Sequence, residues 1–189
     1  MPITWNIKEF TDWIDGGCPI LSPLIAPIVL DLSCCNLTSI PPEIGGLSSL
    51  KELYLCFNKL TSLSIEICGL STLRVLSLIK NNIGTIPPEI AGLKGLQELF
   101  LGYNQLTTLP SEIGALQMLR ILAVNDNKLD LLPTEMNKLN SLISLFLDHN
   151  KLTTLDSDIC TLPNLRTIYI NNNKMWFLPE IKSTLYIRK

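Results

Sequence analysis

"LQELFLGYNQLTTLPSEIGAL", Leu96 to Leu116, is the stretch whose spacing decides the fold. Its leucines fall at relative positions 1, 4, 6, 11, 14 and 21. That spacing fits neither the period of a helix nor the alternation of a long strand. The same pattern recurs in both directions without insertion, every 23 residues, in copies starting at Pro27, Leu50, Leu73, Leu96, Leu119, Leu142 and Leu165. A fixed period of this size predicts a solenoid, in which no copy can bury its apolar side except against its neighbours.

The columns of the repeat say what each position does. Position 9 holds Cys35, Asn58, Asn81, Asn104, Asn127, Asn150 and Asn173. An asparagine amide both accepts from and donates to the backbone of a tight bend, so this column predicts a buried, paired ladder whose stacked copies also satisfy one another. Position 4 holds Leu30, Leu53, Leu76, Leu99, Leu122, Leu145 and Ile168, and position 21 holds Leu47, Leu70, Leu93, Leu116, Leu139, Leu162 and Leu185. Positions 4 and 6 face one side of a short strand, while positions 3, 5 and 7 face the other. The "PPEI" runs at 41–44 and 87–90 suit a first helical turn.

These residues resemble the leucine-rich repeat family in its 23-residue intracellular form, L-x-x-L-x-L-x-x-N-x-L-x-x-L-P-x-x-I-x-x-L, of the Ras-suppressor-like and scribble-like kind. Departures are few: Pro27 for the first Leu, Ser64 and Asp156 for Pro, Met136 for Ile, and Ile181 one place early with Lys182 in its slot. The resemblance implies an α/β solenoid of seven repeats, with a curved parallel sheet on the concave face and turns or short helices on the convex face. The boundaries expected are an N-terminal helical cap at 1–26, repeats over 27–185 and a C-terminal end at 186–189.

A solenoid exposes its core at both ends unless something covers it. In "TWNIKEFTDWIDGG", Asn6 and Glu9 read as a capping box, Gly16 as a stop, and Ile7, Phe10, Trp13 and Ile14 as one apolar stripe. At the other end Trp176, Phe177, Tyr186 and Ile187 are expected to fold over the last step and shield Trp176. The sequence reaches "LYIRK" where a further strand would begin, which fits either an improvised cap or a cut through a larger protein.

Composition narrows the function. The 189 residues are 47% apolar and 17% charged, with a net charge of -2. This leaves no basic footprint for nucleic acid. Pro19, Pro23 and Pro27 interrupt the apolar run Cys18–Leu30, which is shorter than the ~20 residues a membrane helix needs. The six cysteines show no zinc spacing, so no metal site, no cofactor and reduced thiols in a cytoplasmic protein are expected. His149 beside Asp148 suggests a dyad, but the nearest concave thiols, Cys34 and Cys56, lie several strands away. No catalytic residues are assigned, and the chain is not expected to be an enzyme.

What remains is the concave face. Position 5 reads Asp31, Tyr54, Ser77, Phe100, Ala123, Phe146 and Tyr169; position 8 reads Cys34, Phe57, Lys80, Tyr103, Asp126, His149 and Asn172. Alternate strands carry rings, predicting aromatic ridges with troughs over Ser77 and Ala123 of the kind that anchors a protein partner. Tyr54, Phe57, Phe100, Tyr103, Phe146, His149 and Tyr169 are the candidate anchors, and Glu52, Glu98, Asp126 and Asp148 would select a partner bearing lysines or arginines. Lys59, Lys128, Lys151 and Lys174 line the rim. The expected function is a signalling scaffold that binds a protein partner as a monomer. The alternatives are a recognition segment of a larger kinase, GTPase or ligase, and a self-associating structural module.

Overall fold

A computed structural model describes residues 3–19, 26–176, 179 and 185–188. Among these residues nine short strands form one open parallel sheet in chain order: β1 (Thr4–Trp5), β2 (Val29–Asp31), β3 (Glu52–Tyr54), β4 (Val75–Ser77), β5 (Glu98–Phe100), β6 (Ile121–Ala123), β7 (Ser144–Phe146), β8 (Thr167–Tyr169) and β9 (Tyr186–Arg188). From β2 to β8 the register advances by the sequence period, so Leu30, Leu53, Leu76, Leu99, Leu122, Leu145 and Ile168 stack in one inward column, each at 0% exposure. Strand and return turn from adjacent repeats close the core between them, which makes the chain the α/β solenoid that the period predicts.

The returning side is built from single 3-10 turns, as at Pro42–Gly46, Pro88–Gly92, Ser111–Ala115 and Thr134–Lys138. In the first two a proline opens the turn, its fixed φ already suited to helix entry. Asp156, which replaces proline in its column, instead caps the short helix α2 (Ser157–Cys160) by accepting from the Asp158 N–H at 2.9 Å. Stacked turns approach closely: a Cβ on Gly114 would lie 2.3 Å from the Glu135 carbonyl oxygen.

Strands β2 to β8 end in the same way. Position 8 adopts a left-handed backbone in all seven repeats, with φ between 52° and 58° for Cys34, Phe57, Lys80, Tyr103, Asp126, His149 and Asn172. This bend turns the next side chain, the asparagine, inward. Asn104 shows the pattern: its Nδ2 donates to the carbonyls of Leu78 and Leu101, and its Oδ1 accepts from the Ile83 N–H at 3.0 Å. The amides therefore join the backbone of their own repeat to that of the preceding one. They do not satisfy one another, as the column alone had suggested.

The N-terminal end is a strand and a helix together. Residues Thr4–Trp5 pair with β2, adding a step that two residues without a period could not announce. Helix α1 (Ile7–Asp15) then begins at the reciprocal Asn6–Glu9 capping box and buries Phe10 and Trp13. Trp13 Nε1 donates to the Pro19 carbonyl at 3.1 Å, and its ring contacts Phe10 and Trp5.

The C-terminal end departs from expectation. Strand β9 pairs Tyr186 with Thr167, 19 residues back, so the last step is four residues shorter than the period. Leu185, read as a position-21 leucine, lies directly before β9, opposite Arg166, and Ile187 takes the inward place beside Ile168. Leu185 is buried and Ile187 partly so. Trp176 is 90% exposed, the reverse of the shielding anticipated for it. Phe177, Ile181 and Lys182 lie outside the described residues.

Candidate functional site

The outer face of the sheet brings the candidate residues together in two rows. Position 5, the last residue of each strand, supplies Tyr54, Phe100, Phe146 and Tyr169, all half-buried. Position 8, on the left-handed bend, supplies Phe57, Tyr103 and His149, all exposed, with Phe57 at 53% and Tyr103 at 49%. The rows thus differ in kind. Ser77 and Ala123, expected as open troughs, are buried at 3% and 6%. On these two rows the more exposed rings are those of position 8, and the half-buried ones those of position 5.

The left-handed bend is unfavourable for side chains with a bulky β-substituent, and glycine or asparagine would fit it best. Of the seven residues there Asn172 follows that preference, as do Asp126 and His149, whose types also favour the left-handed region. The others cost about 1–2 kcal/mol each relative to glycine, so the backbone alone does not explain why rings and charges stand there.

Specific contacts hold these side chains. Tyr54 Oη donates to Glu52 Oε2 at 2.9 Å. Burial, the bond to Glu52 and the nearby charges of Glu98 and Asp31 push the Tyr54 hydroxyl up to about 12. Phe146 and Tyr169 stack with centroids 4.5 Å apart and planes 7° from parallel, and the Arg188 guanidinium lies 5.3 Å from the Tyr169 centroid. Lys80 Nζ sits between two rings, 4.7 Å from the Phe57 centroid and 5.3 Å from that of Tyr103. Cation–π attraction of this kind contributes about 0.5–1 kcal/mol at exposed sites.

The carboxylates are placed, and none of them forms an ion pair among the described residues. Asp126 Oδ2 accepts from Asn125 Nδ2 at 2.8 Å, and Asn125 fits because position 102 is glycine: a Cβ there would lie 2.8 Å from Asn125 Oδ1. Asp148 Oδ1 accepts the Asn171 N–H, whereas the His149 ring meets Asn172 Nδ2 at 3.0 Å. Asp148 and His149 therefore have separate partners and no dyad geometry. Glu98, like Glu52, is half-buried on its strand. Among the described residues the only ion pair is Lys8–Asp12 on α1, away from the sheet, and no group of three or more His, Cys, Asp or Glu side chains could hold a metal ion. Cys56 Sγ lies 3.0 Å from Ser77 Oγ, and Cys34 is exposed.

Lys80, Arg188, Gly102 and Asn125 were not picked out in the sequence. The sequence places Lys80 at position 8 between Phe57 and Tyr103, and its contact with both rings appears only once strands β3 to β5 are set side by side. Gly102 was the available signal, a glycine in the position-7 column beside a bulky row.

Comparison with known proteins places this geometry. Residues 56–185 match the family described as "Leucine-rich repeat region", and residues 28–66 match "Leucine Rich repeats (2 copies)". A leucine-rich repeat protein of Leptospira interrogans is similar in structure, with a TM-score of 0.73 and 34% identity over 94% of this chain and 49% of that one. The plant peptide hormone receptor RGFR1, solved in complex with RGF2, is similar with a TM-score of 0.64 and 32% identity, over 72% of this chain and 23% of that one. This chain thus spans about half the length of the first and about a quarter of the second. No curated protein matches the sequence.

Proposed function

Because the chain belongs to the leucine-rich repeat family, whose domains generally mediate protein–protein contacts, we propose that it is a non-enzymatic module that binds a protein partner through the outer face of its sheet. The observation that carries this reading is the position-8 row: rings exposed to about half, standing off a core complete without them. An exposed aromatic row reduces solubility unless something covers it. Tyr54, Phe57, Phe100, Tyr103, Phe146, His149 and Tyr169 supply contact area. Glu52, Glu98, Asp126 and Asp148, none with an ion-pair partner among the described residues, favour a partner carrying lysines or arginines. No helix among the described residues is long and apolar enough to cross a membrane. We take the protein to be a cytoplasmic, monomeric scaffold of the 23-residue intracellular type.

A second reading, a recognition segment within a larger protein, is favoured by the share of the similar chains that this one spans. One experiment tests the binding reading in either case. A partner captured by the intact protein should be lost on Phe100→Ala with Tyr103→Ala, while the melting curve stays close to that of the parent. Unimpaired capture by the folded double variant would refute it.

A further inference from the structure

On the outer row of the sheet, opposite charges stand two strands apart with a ring between them: Lys80 after β4, Tyr103 after β5 and Asp126 after β6. Each charge is held by neighbours that have no evident role in the core. Phe57 and Tyr103 grip the Lys80 ammonium from two sides. Asn125, admitted by the missing Cβ of Gly102, fixes the Asp126 carboxylate. Neither charge has an ion-pair partner among the described residues. The Tyr103 strand lies between them, so they do not neutralise each other.

We propose that this row reads a peptide in the polyproline II conformation by charge, Lys80 taking an acidic side chain and Asp126 a basic one three residues away, with the peptide crossing the strands over Tyr103. The spacing follows from the sheet: two strands span about 9.6 Å, and three residues of polyproline II chain span about 9.3 Å and return the side chain to the same face. Charge complementarity selects this occupant. A uniformly basic segment would meet Lys80, and a uniformly acidic one would meet Asp126. Tyr103, half-exposed, offers its ring to the two residues between the charged ones.

This inference rests on the reading of the sheet face as a binding surface, and the test separates the two. The probe is a displayed library of random dodecapeptides selected on the purified full chain. The recovered peptides should carry an acidic residue three positions from a basic one. Binding should fall at least tenfold on Lys80→Glu and on Asp126→Lys, and also on the milder Lys80→Gln and Asp126→Asn, all checked for folding by circular dichroism. Selection on the double swap Lys80→Glu with Asp126→Lys should return peptides with the two charges in reversed order. Peptides that lose binding on Phe100→Ala with Tyr103→Ala but ignore every charge variant would overturn the charge readout and leave the binding face standing. Peptides insensitive to all these variants, or no peptides at all, would overturn both.

Discussion

Replacing Asn104 by alanine isolates the part of the fold that is polar and buried. The side chain is 3% exposed and makes four hydrogen bonds: Nδ2 donates to the carbonyls of Leu78, Leu101 and Gly102, and Oδ1 accepts from the Ile83 N–H. The carbonyls have other donors. Leu78 also accepts from Asn81, Leu101 from Asn127, and Gly102 from the Lys80 N–H. The group left without a partner is therefore the Ile83 N–H, bonded only to Asn104 Oδ1. An orphaned buried donor costs about 1–3 kcal/mol, and the weakened carbonyl bonds add to it. A loss of about 2–3 kcal/mol should lower the melting temperature by roughly 4–12 °C for a chain of this size. The same change at Asn173, whose bonds are only part-buried, should cost less because water can replace them. Thermal and urea melts of both variants provide the assay. An Asn104→Ala protein that melts with the parent, or Asn173→Ala being the more damaging, would refute the reasoning.

Gly114→Ala should destabilise by about 1–3 kcal/mol in a urea melt, because its Cβ would meet the Glu135 carbonyl oxygen at 2.3 Å and force two stacked turns apart. Trp13→Ala removes the ring that closes the N-terminal end and should cost about 3–5 kcal/mol; a loss below 1 kcal/mol in the same melt would show that α1 does not seal the core. Alkaline stability should report Tyr54. Its folded hydroxyl titrates at about 12 against an unperturbed value near 10, so the folded state holds its proton where the unfolded state has released it. The stability this contributes is fully present below pH ~10 and is lost as pH rises toward ~12. Tyr54→Phe should flatten that part of the profile and remove the latest step from an absorbance titration of the tyrosinates.

The sequence made the core legible because its leucine and asparagine columns repeat without insertion through seven copies. Steps outside the period were not legible. Strand β1 has two residues, too few for any pattern, and β9 follows a step of 19 that breaks the column containing Leu185. The face was legible as composition only. That Tyr54, Phe100 and Phe146 are half-buried while Phe57 and Tyr103 are exposed depends on the left-handed bend at position 8. Glycine would have signalled such a bend, but rings, charges, a thiol and Asn172 occupy it. The grip of two rings on Lys80 likewise joins three repeats, and no single copy of the pattern contains it.

The most direct test of the binding face is hydroxyl-radical footprinting of the protein alone and with a captured partner. Phe57 and Tyr103, exposed at 53% and 49%, should be oxidised in the free protein and protected in the complex. Met118 and Leu131, exposed at 52% and 60% away from the two rows, should react equally in both. Protection of Met118 and Leu131 with Phe57 and Tyr103 still reactive would contradict the account.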